Sequence, residues 1–227
     1  MFTADAPLLL LDLDNTLIDR DGAFRVAVTG FLQDHELPAA DTGWLMRLDA
    51  SGYTPRTEVA RAISRRYGPA VSQHTVSALL DRGGADHVVL GEAARHALHA
   101  AAAAGWVAVA VTNGTRAQQE AKLRISGLDR ILRGWVISET AGHRKPDPAI
   151  FAAAAETAGC SLNGAWMIGD SPQADIGGAS AAGISSAWIS AGRPWPALPY
   201  RPTHIAADIT AAVDHVLKTG PSSFSSR

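Results

Sequence analysis

Asp12 and Asp14, in the run Asp12-Leu13-Asp14-Asn15-Thr16, follow directly on the apolar stretch 8–11. This puts two carboxylates where a buried strand emerges into a loop. Carboxylates held close together and partly out of water repel each other, and a cation or a proton must neutralise them. Mg2+ is the simplest neutraliser, a hard ion that prefers carboxylate and carbonyl oxygen. Other chemically able residues follow other apolar runs: Thr112-Asn113 after 107–111, Lys145 beyond 135–137, and Gly169-Asp170-Ser171 after 166–168, with Asp175 close behind. That inventory suits phosphoryl transfer. Some carboxylates hold the metal, another serves as nucleophile, and a hydroxyl with an ammonium binds phosphate oxygens. A covalent aspartyl-phosphate would divide one difficult displacement into two easier ones, with a second acid protonating the leaving alcohol and then activating water. Without Lys145 and the metal, an incoming phosphate dianion would face several like charges at short range.

The elements that must bring these residues together are legible as periodicity. Apolar runs at 8–11, 107–111, 135–137, 166–168 and 187–189 predict buried strands. Helical patterns lie between and after them at 92–104, 115–125, 148–158, 174–182 and 210–217, several stopped by glycine. Strand and helix in alternation predict an α/β fold, a doubly wound parallel sheet of Rossmann-like type covered on both faces. A parallel sheet gathers the carboxyl ends of its strands, so Asp12, Asp14, Thr112, Lys145, Asp170 and Asp175 should converge on one edge. The alternation breaks once, over about 70 residues after the first strand, where there are helix signals at 23–35, 42–48 and 75–80. A further helix there is expected to be N-capped at Thr54, with Pro55 in its first turn, and to run through Arg66. The expected organisation is a discontinuous α/β core (1–17 and 88–220), a helical cap (18–87) above the carboxyl ends of the strands, and a Gly-Pro-Ser-rich disordered tail (221–227).

With 227 residues, 47% of them hydrophobic, the chain can bury a sizeable core. A formal net charge of -2 without any long basic run argues against nucleic acid or an acidic membrane as partner. The single cysteine, Cys160, excludes an internal disulfide and cysteine-based zinc sites, so a cytoplasmic location is expected. Residues 1–11 lack the basic start and cleavage site of a signal peptide, and no apolar run approaches the roughly 20 residues of a membrane span. Neither a Gly-x-Gly-x-x-Gly after the first strand nor a Gly-x-x-x-x-Gly-Lys is present, which disfavours nicotinamide enzymes and P-loop nucleotidases. Trp106, Trp135, Trp166 and Trp188 lie at or near strands and read as packing residues, and Gly177-Gly178-Ala179 reads as close helix packing.

In order and spacing, Asp12-x-Asp14-x-Thr16, Thr112-Asn113, Lys145-Pro146-Asp147-Pro148 and Gly169-Asp170-Ser171-x-x-x-Asp175 resemble the four motifs of the haloacid dehalogenase-like (HAD) hydrolase superfamily. The insert resembles the helical cap of that superfamily's first cap type. The resemblance implies Asp12 as nucleophile, Asp14 as general acid and base, and Thr112 and Lys145, with Asn113 beside them, as phosphate ligands. It also implies Mg2+ held by Asp12, the Asp14 backbone carbonyl and Asp170, with Asp175 supporting it. The implied activity is a Mg2+-dependent phosphatase acting on a small phosphorylated metabolite. Phosphomutase and haloacid dehalogenase are the alternatives within the superfamily, and a phospho-accepting signalling module is the alternative from another class. A phosphonatase would need a Schiff-base lysine from its cap, and residues 17–90 contain no lysine. Substrate choice should fall to residues 19–24 and to the insert, with Arg20, Trp44, Arg47, Tyr53 and Arg56 as the polar or aromatic candidates.

Overall fold

Four consecutive leucines make β1 (Leu8–Leu11), and all four side chains are buried, so this strand requires cover on both faces. The computed structural model describes residues 6–220, and the tail expected at 221–227 lies outside the described residues. After β1 come α1 (Arg20–Asp34), α2 (Thr42–Asp49), α3 (Arg56–Tyr67) and α4 (Gln73–Arg82). The chain continues through α5 (Glu92–Ala103), β2 (Val107–Thr112), α6 (Arg116–Ser126), β3 (Gly134–Ile137), the short α7 (Ser138–Ala141), α8 (Pro148–Ala158) and β4 (Trp166–Gly169). It closes with α9 (Gly178–Ala181), β5 (Ser185–Ile189), β6 (His204–Ala206) and α10 (Ile209–Thr219).

The strands form one parallel sheet in the order β3-β2-β1-β4-β5-β6. Side chains alternate between its faces. Leu9 and Leu11 pack with Leu98 of α5, Leu123 of α6 and Val213 of α10, whereas Leu8 and Leu10 pack with Ile150 and Phe151 of α8 and with Met167. The segment between β1 and α5 is helical, as expected. Its helices α1–α4 bury a separate apolar cluster that includes Phe24, Val28, Leu45, Ile63 and Leu80, forming a cap over the sheet. Trp106, Trp166 and Trp188 are buried and Trp135 packs against the core, as their positions near strands predict. At Gly178 an added Cβ would lie 2.6 Å from the Phe151 ring, so helix packing accounts for that glycine. Among the described residues no helix is long and apolar enough to cross a membrane.

The structure corrects the sequence reading at three places. β6 was not expected, because it is a three-residue edge strand in which Ile205 is exposed, leaving no buried run to detect. Pro55 is the N-cap of α3 and not a first-turn residue: its ψ of 133° is extended, and the helix begins at Arg56. The helix expected at 174–182 opens earlier, as a π-helical turn (Pro172–Gly177) running into α9. Ser171 Oγ accepts from Ala174 N (3.2 Å), while Asp175 Oδ2 reaches back to accept from Ser171 N (2.9 Å). The wider turn leaves Asp175 fully buried and directed inward.

Candidate active site

The strand order reverses at β1, where β2 lies on one side and β4 on the other, and open sheets bind ligands at the carboxyl edge of such a switch point. Asp12 is the first residue past β1, and its N–H donates to Ile168 O (2.9 Å), which fixes it against β4. Asp170 is the first residue past β4, with its carbonyl held by Trp188 Nε1 and Arg193 Nη2, both at 2.9 Å. Oxygens of Asp12, Asp170 and Asp175 lie within 4.8 Å of one another. Gly169 makes this approach possible, because a Cβ there would fall 2.2 Å from Asp175 Oδ2. Lys145 enters the cluster from the side of β3. Its Nζ lies 2.6 Å from Asp12 Oδ1 and 2.7 Å from Asp175 Oδ1, and it donates to Val111 O at 2.6 Å.

Three carboxylates against the Lys145 ammonium and the Arg193 guanidinium, whose Nη2 lies 3.3 Å from Asp170 Oδ2, leave excess negative charge, and the acidities respond. Burial raises the Asp12 carboxyl, with Asp175 and Asp170 adding to the rise against the opposing pull of Lys145, to about 8. Burial and Asp175 raise Asp170 to about 7. Lys145 moves up despite burial, because Asp12 and Asp175 stabilise its charge. A centre that takes up protons unless positive charge arrives, built from hard oxygen donors, fits a divalent cation.

Asp14 belongs to a second group of partners. Lys122 Nζ lies 2.7 Å from both of its carboxylate oxygens, and Gln119 Nε2 donates to Asp14 Oδ2 (3.1 Å) and Thr112 Oγ1 (2.5 Å). Burial would raise the Asp14 carboxyl, but Lys122 and Gln119 outweigh it and hold it below the ordinary value. Asn15, in a left-handed conformation (φ 59°), accepts from Asp21 N and ties the turn after Asp14 to the start of α1. Asn113 is committed to Lys145: its amide donates to Lys145 O (3.0 Å) and accepts from Lys145 N (2.9 Å).

Both groups line one cavity of about 1000 Å³ between core and cap. Asp12, Asp14, Thr112, Asn113, Lys145, Asp170 and Asp175 all face it, so the structure brings together every site residue read from the sequence. Of the five cap candidates, Arg20, Tyr53 and Arg56 line it, whereas Trp44 and Arg47 do not. Trp44 packs edge-on against Tyr67 under the Arg66 guanidinium, a contact internal to the cap. Arg20 is buried, with Nη1 2.5 Å from Asp49 Oδ2, and it ties α1 to the end of α2. Tyr53 bridges cap and core, donating from its hydroxyl to Ser171 Oγ (2.9 Å).

The model of the haloacid dehalogenase-like hydrolase family matches residues 7–183. The chain belongs to that family. It is 30% identical over 197 residues to the pyrimidine 5'-nucleotidase PynA of Streptococcus pneumoniae, covering 80% of this chain and 83% of PynA. It is 38% identical over 82 residues to phosphoserine phosphatase of Thermus thermophilus, covering 36% of this chain. That match spans only about a third (33%) of the phosphatase. Among solved structures, the magnesium-bound HAD-hydrolase YfnB of Bacillus subtilis superposes with a TM-score of 0.73 at 24% identity, over 94% of this chain and 99% of YfnB. At that identity the likeness speaks for the fold.

In this HAD hydrolase the residues that sequence reasoning missed sit on α6. Gln119, Lys122, Leu123 and Ser126 form its buried stripe, and three of these are polar. A helix normally turns an apolar stripe inward, so polar residues at that spacing were a signal of a buried polar site. The scarcity of lysine, present only at 122, 145 and 218, was a second signal.

Proposed function

We propose that the chain is a phosphatase that hydrolyses a small phosphate monoester through an aspartyl-phosphate on Asp12, with Asp14 as general acid and base. One observation carries this reading: the Asp12 carboxylate belongs to a buried cluster suited to a divalent cation, and it lines the same cavity as a second carboxylate, Asp14, that has its own ammonium partner. An Asp12 oxygen bonds to phosphorus as the ester P–O bond breaks, and Asp14, ionised in the free protein, takes the proton that a phosphate monoanion brings and passes it to the departing alkoxide. Lys122 favours this transfer by stabilising the carboxylate left behind. Water then attacks the aspartyl-phosphate, Asp14 takes its proton, and the P–O bond to Asp12 breaks to release inorganic phosphate. Thr112 and Lys145 bind phosphate oxygens, and Asn113 holds the Lys145 backbone in place.

Asp12, Asp170 and Asp175, with the Asp14 backbone carbonyl, would hold Mg2+, which when bound supplies positive charge against the carboxylates and the phosphate. The helical segment 18–87 acts in this reading as the cap that excludes water from the cavity. The relatives named above are a nucleotidase and a phosphatase, which supports a small phosphorylated metabolite as substrate. Haloacid dehalogenation attacks carbon and expels halide, so it has no use for the acid at Asp14 and the donors that hold it. The test is release of inorganic phosphate from an aryl phosphate with and without Mg2+, beside halide release from a 2-haloacid. Mg2+-dependent phosphate release is expected, and halide release without it would overturn the proposal.

Removing Lys122 should slow turnover while leaving binding largely intact. For Lys122→Met we expect kcat to fall about 100-fold, within the range by which general acid and base groups contribute, with KM changed little. Steady-state kinetics at saturating Mg2+ measure this, and an unchanged kcat would reduce Lys122 to a packing role.

Stability should depend on pH in a direction set by the acidic cluster. Asp12 and Asp170 keep protons in the folded state, up to about pH 8 and about pH 7, that the unfolded chain has already lost. Between pH 5 and 8 the folded state therefore binds more protons, and stability falls as pH rises, by about 1.4 kcal/mol per pH unit for each proton so held. The lowered Asp14 carboxyl acts only on the acid side of this window. Thermal melts of metal-free protein should show Tm falling from pH 5 to pH 8, and Mg2+ should raise Tm more at pH 8. A rising metal-free Tm would contradict this electrostatic account.

A further inference from the structure

Most cations of the cavity wall already have a carboxylate. Lys145 serves Asp12 and Asp175, Lys122 serves Asp14, and Arg20 serves Asp21 and Asp49. Arg56 differs. Its nearest carboxylate oxygen, Asp49 Oδ1, is 3.8 Å from Nη1, beyond hydrogen-bond reach, and the other Asp49 oxygen is taken by Arg20 Nη1 and Gly52 N. Arg56 Nη1 and the neighbouring Arg20 Nη2 are buried N–H groups without a hydrogen-bond partner.

Arg56 is nevertheless held in place. Its Nη2 donates to Gln118 Oε1 (3.1 Å), and Gln118 Nε2 is itself fixed by the carbonyls of Leu80 (3.2 Å) and Asp81 (3.1 Å) at the end of α4. Gly83 makes room for the pair, since a Cβ there would lie 2.1 Å from Gln118 Nε2 and 2.9 Å from Arg56 Nη2. A neutral amide anchored from behind orients the guanidinium without neutralising it. Exposed Arg144, a cavity cation with no ion-paired carboxylate among the described residues, has no such anchor.

A half-buried, oriented guanidinium with an open donor is suited to an anion, because paired N–H groups match a carboxylate or phosphate edge. We propose that Arg56 binds a second anionic group of the substrate, so that the preferred phosphate monoester carries a carboxylate or a further phosphate on its alcohol portion. This rests on the phosphatase reading above, which places the scissile phosphate at Asp12 on the core wall while Arg56 stands on the cap wall of the same cavity.

The experiment compares kcat/KM for three series of increasing chain length: neutral alkyl phosphates, phosphate esters of ω-hydroxy carboxylic acids, and α,ω-bisphosphates. At one length the wild-type protein should prefer a charged ester over its neutral match by about ten-fold or more, the scale of one oriented ion pair. The series that shows the preference identifies the anion. Arg56→Gln should bring that ratio close to one, and Arg56→Lys should retain part of it. A wild-type ratio near one at every length, which requires no variant to fold, would overturn the proposal, as would a ratio unchanged in Arg56→Gln. The underlying phosphatase reading fails differently: no ester of any series is then hydrolysed faster by wild type than by Asp12→Asn, and this inference falls with it.

Discussion

Asp12→Asn should lower kcat for phosphate release by about 10⁴-fold or more, the scale on which loss of a nucleophile is felt. The amide is nearly isosteric with the carboxylate but presents no anionic oxygen to phosphorus. The same change removes one charge from a cluster that carries too many. Asp12 is 7% exposed and its carboxyl is raised to about 8, so its ionised form is disfavoured where it stands. The metal-free variant should therefore melt no lower than wild type at pH 8, which separates loss of chemistry from loss of fold. Phosphate release and thermal melts measure the two effects. A kcat within about ten-fold of wild type would mean that another group attacks phosphorus, and the proposed mechanism would be wrong.

Lys145→Met should damage both activity and stability. The ammonium, 3% exposed, is the charge shared by Asp12 and Asp175, so its removal leaves buried carboxylates without their counter-ion. Breaking a buried pair from one side costs about 3–5 kcal/mol, and a lost donor to phosphate costs about 10²–10³-fold in turnover. The expected result is a kcat/KM reduced by about 10³-fold and a lowered metal-free Tm. Mg2+ should raise the Tm of the variant more than that of wild type, because added positive charge replaces part of what the lysine supplied. Lys145→Arg should rescue little, since a planar guanidinium does not fit where a compact ammonium meets Asp12, Asp175 and Val111 O together. Equal Tm gains from Mg2+ in variant and wild type would show that Lys145 and the metal do not share a task.

The sequence by itself determined five of the six strands of the sheet and the edge on which chemistry is placed. Apolar runs such as 8–11 and 107–111 have one physical outcome in a chain of this size, a strand buried on both faces. Parallel strands then bring Asp12, Thr112 and Asp170 to the same side whatever the intervening residues are. Three matters were left to the tertiary structure. The pairing of Asp14 with Lys122 crosses 108 positions and depends on how α6 is rotated, which periodicity indicates only once the partner of its polar stripe is known. Asp175 turns inward because a π-helical turn widens the start of its helix, and no local propensity encodes that choice. The different fates of Arg20 and Arg56 follow from the position of Asp49, 29 residues beyond Arg20 in the chain, whose carboxylate hydrogen-bonds one guanidinium and stays 3.8 Å from the other, leaving Arg56 Nη1 without a hydrogen-bond partner. Apolar periodicity is set by near neighbours and so is written locally. Which charge faces which is settled only when distant segments pack, because electrostatic energy depends on distances through space and on the water excluded between them.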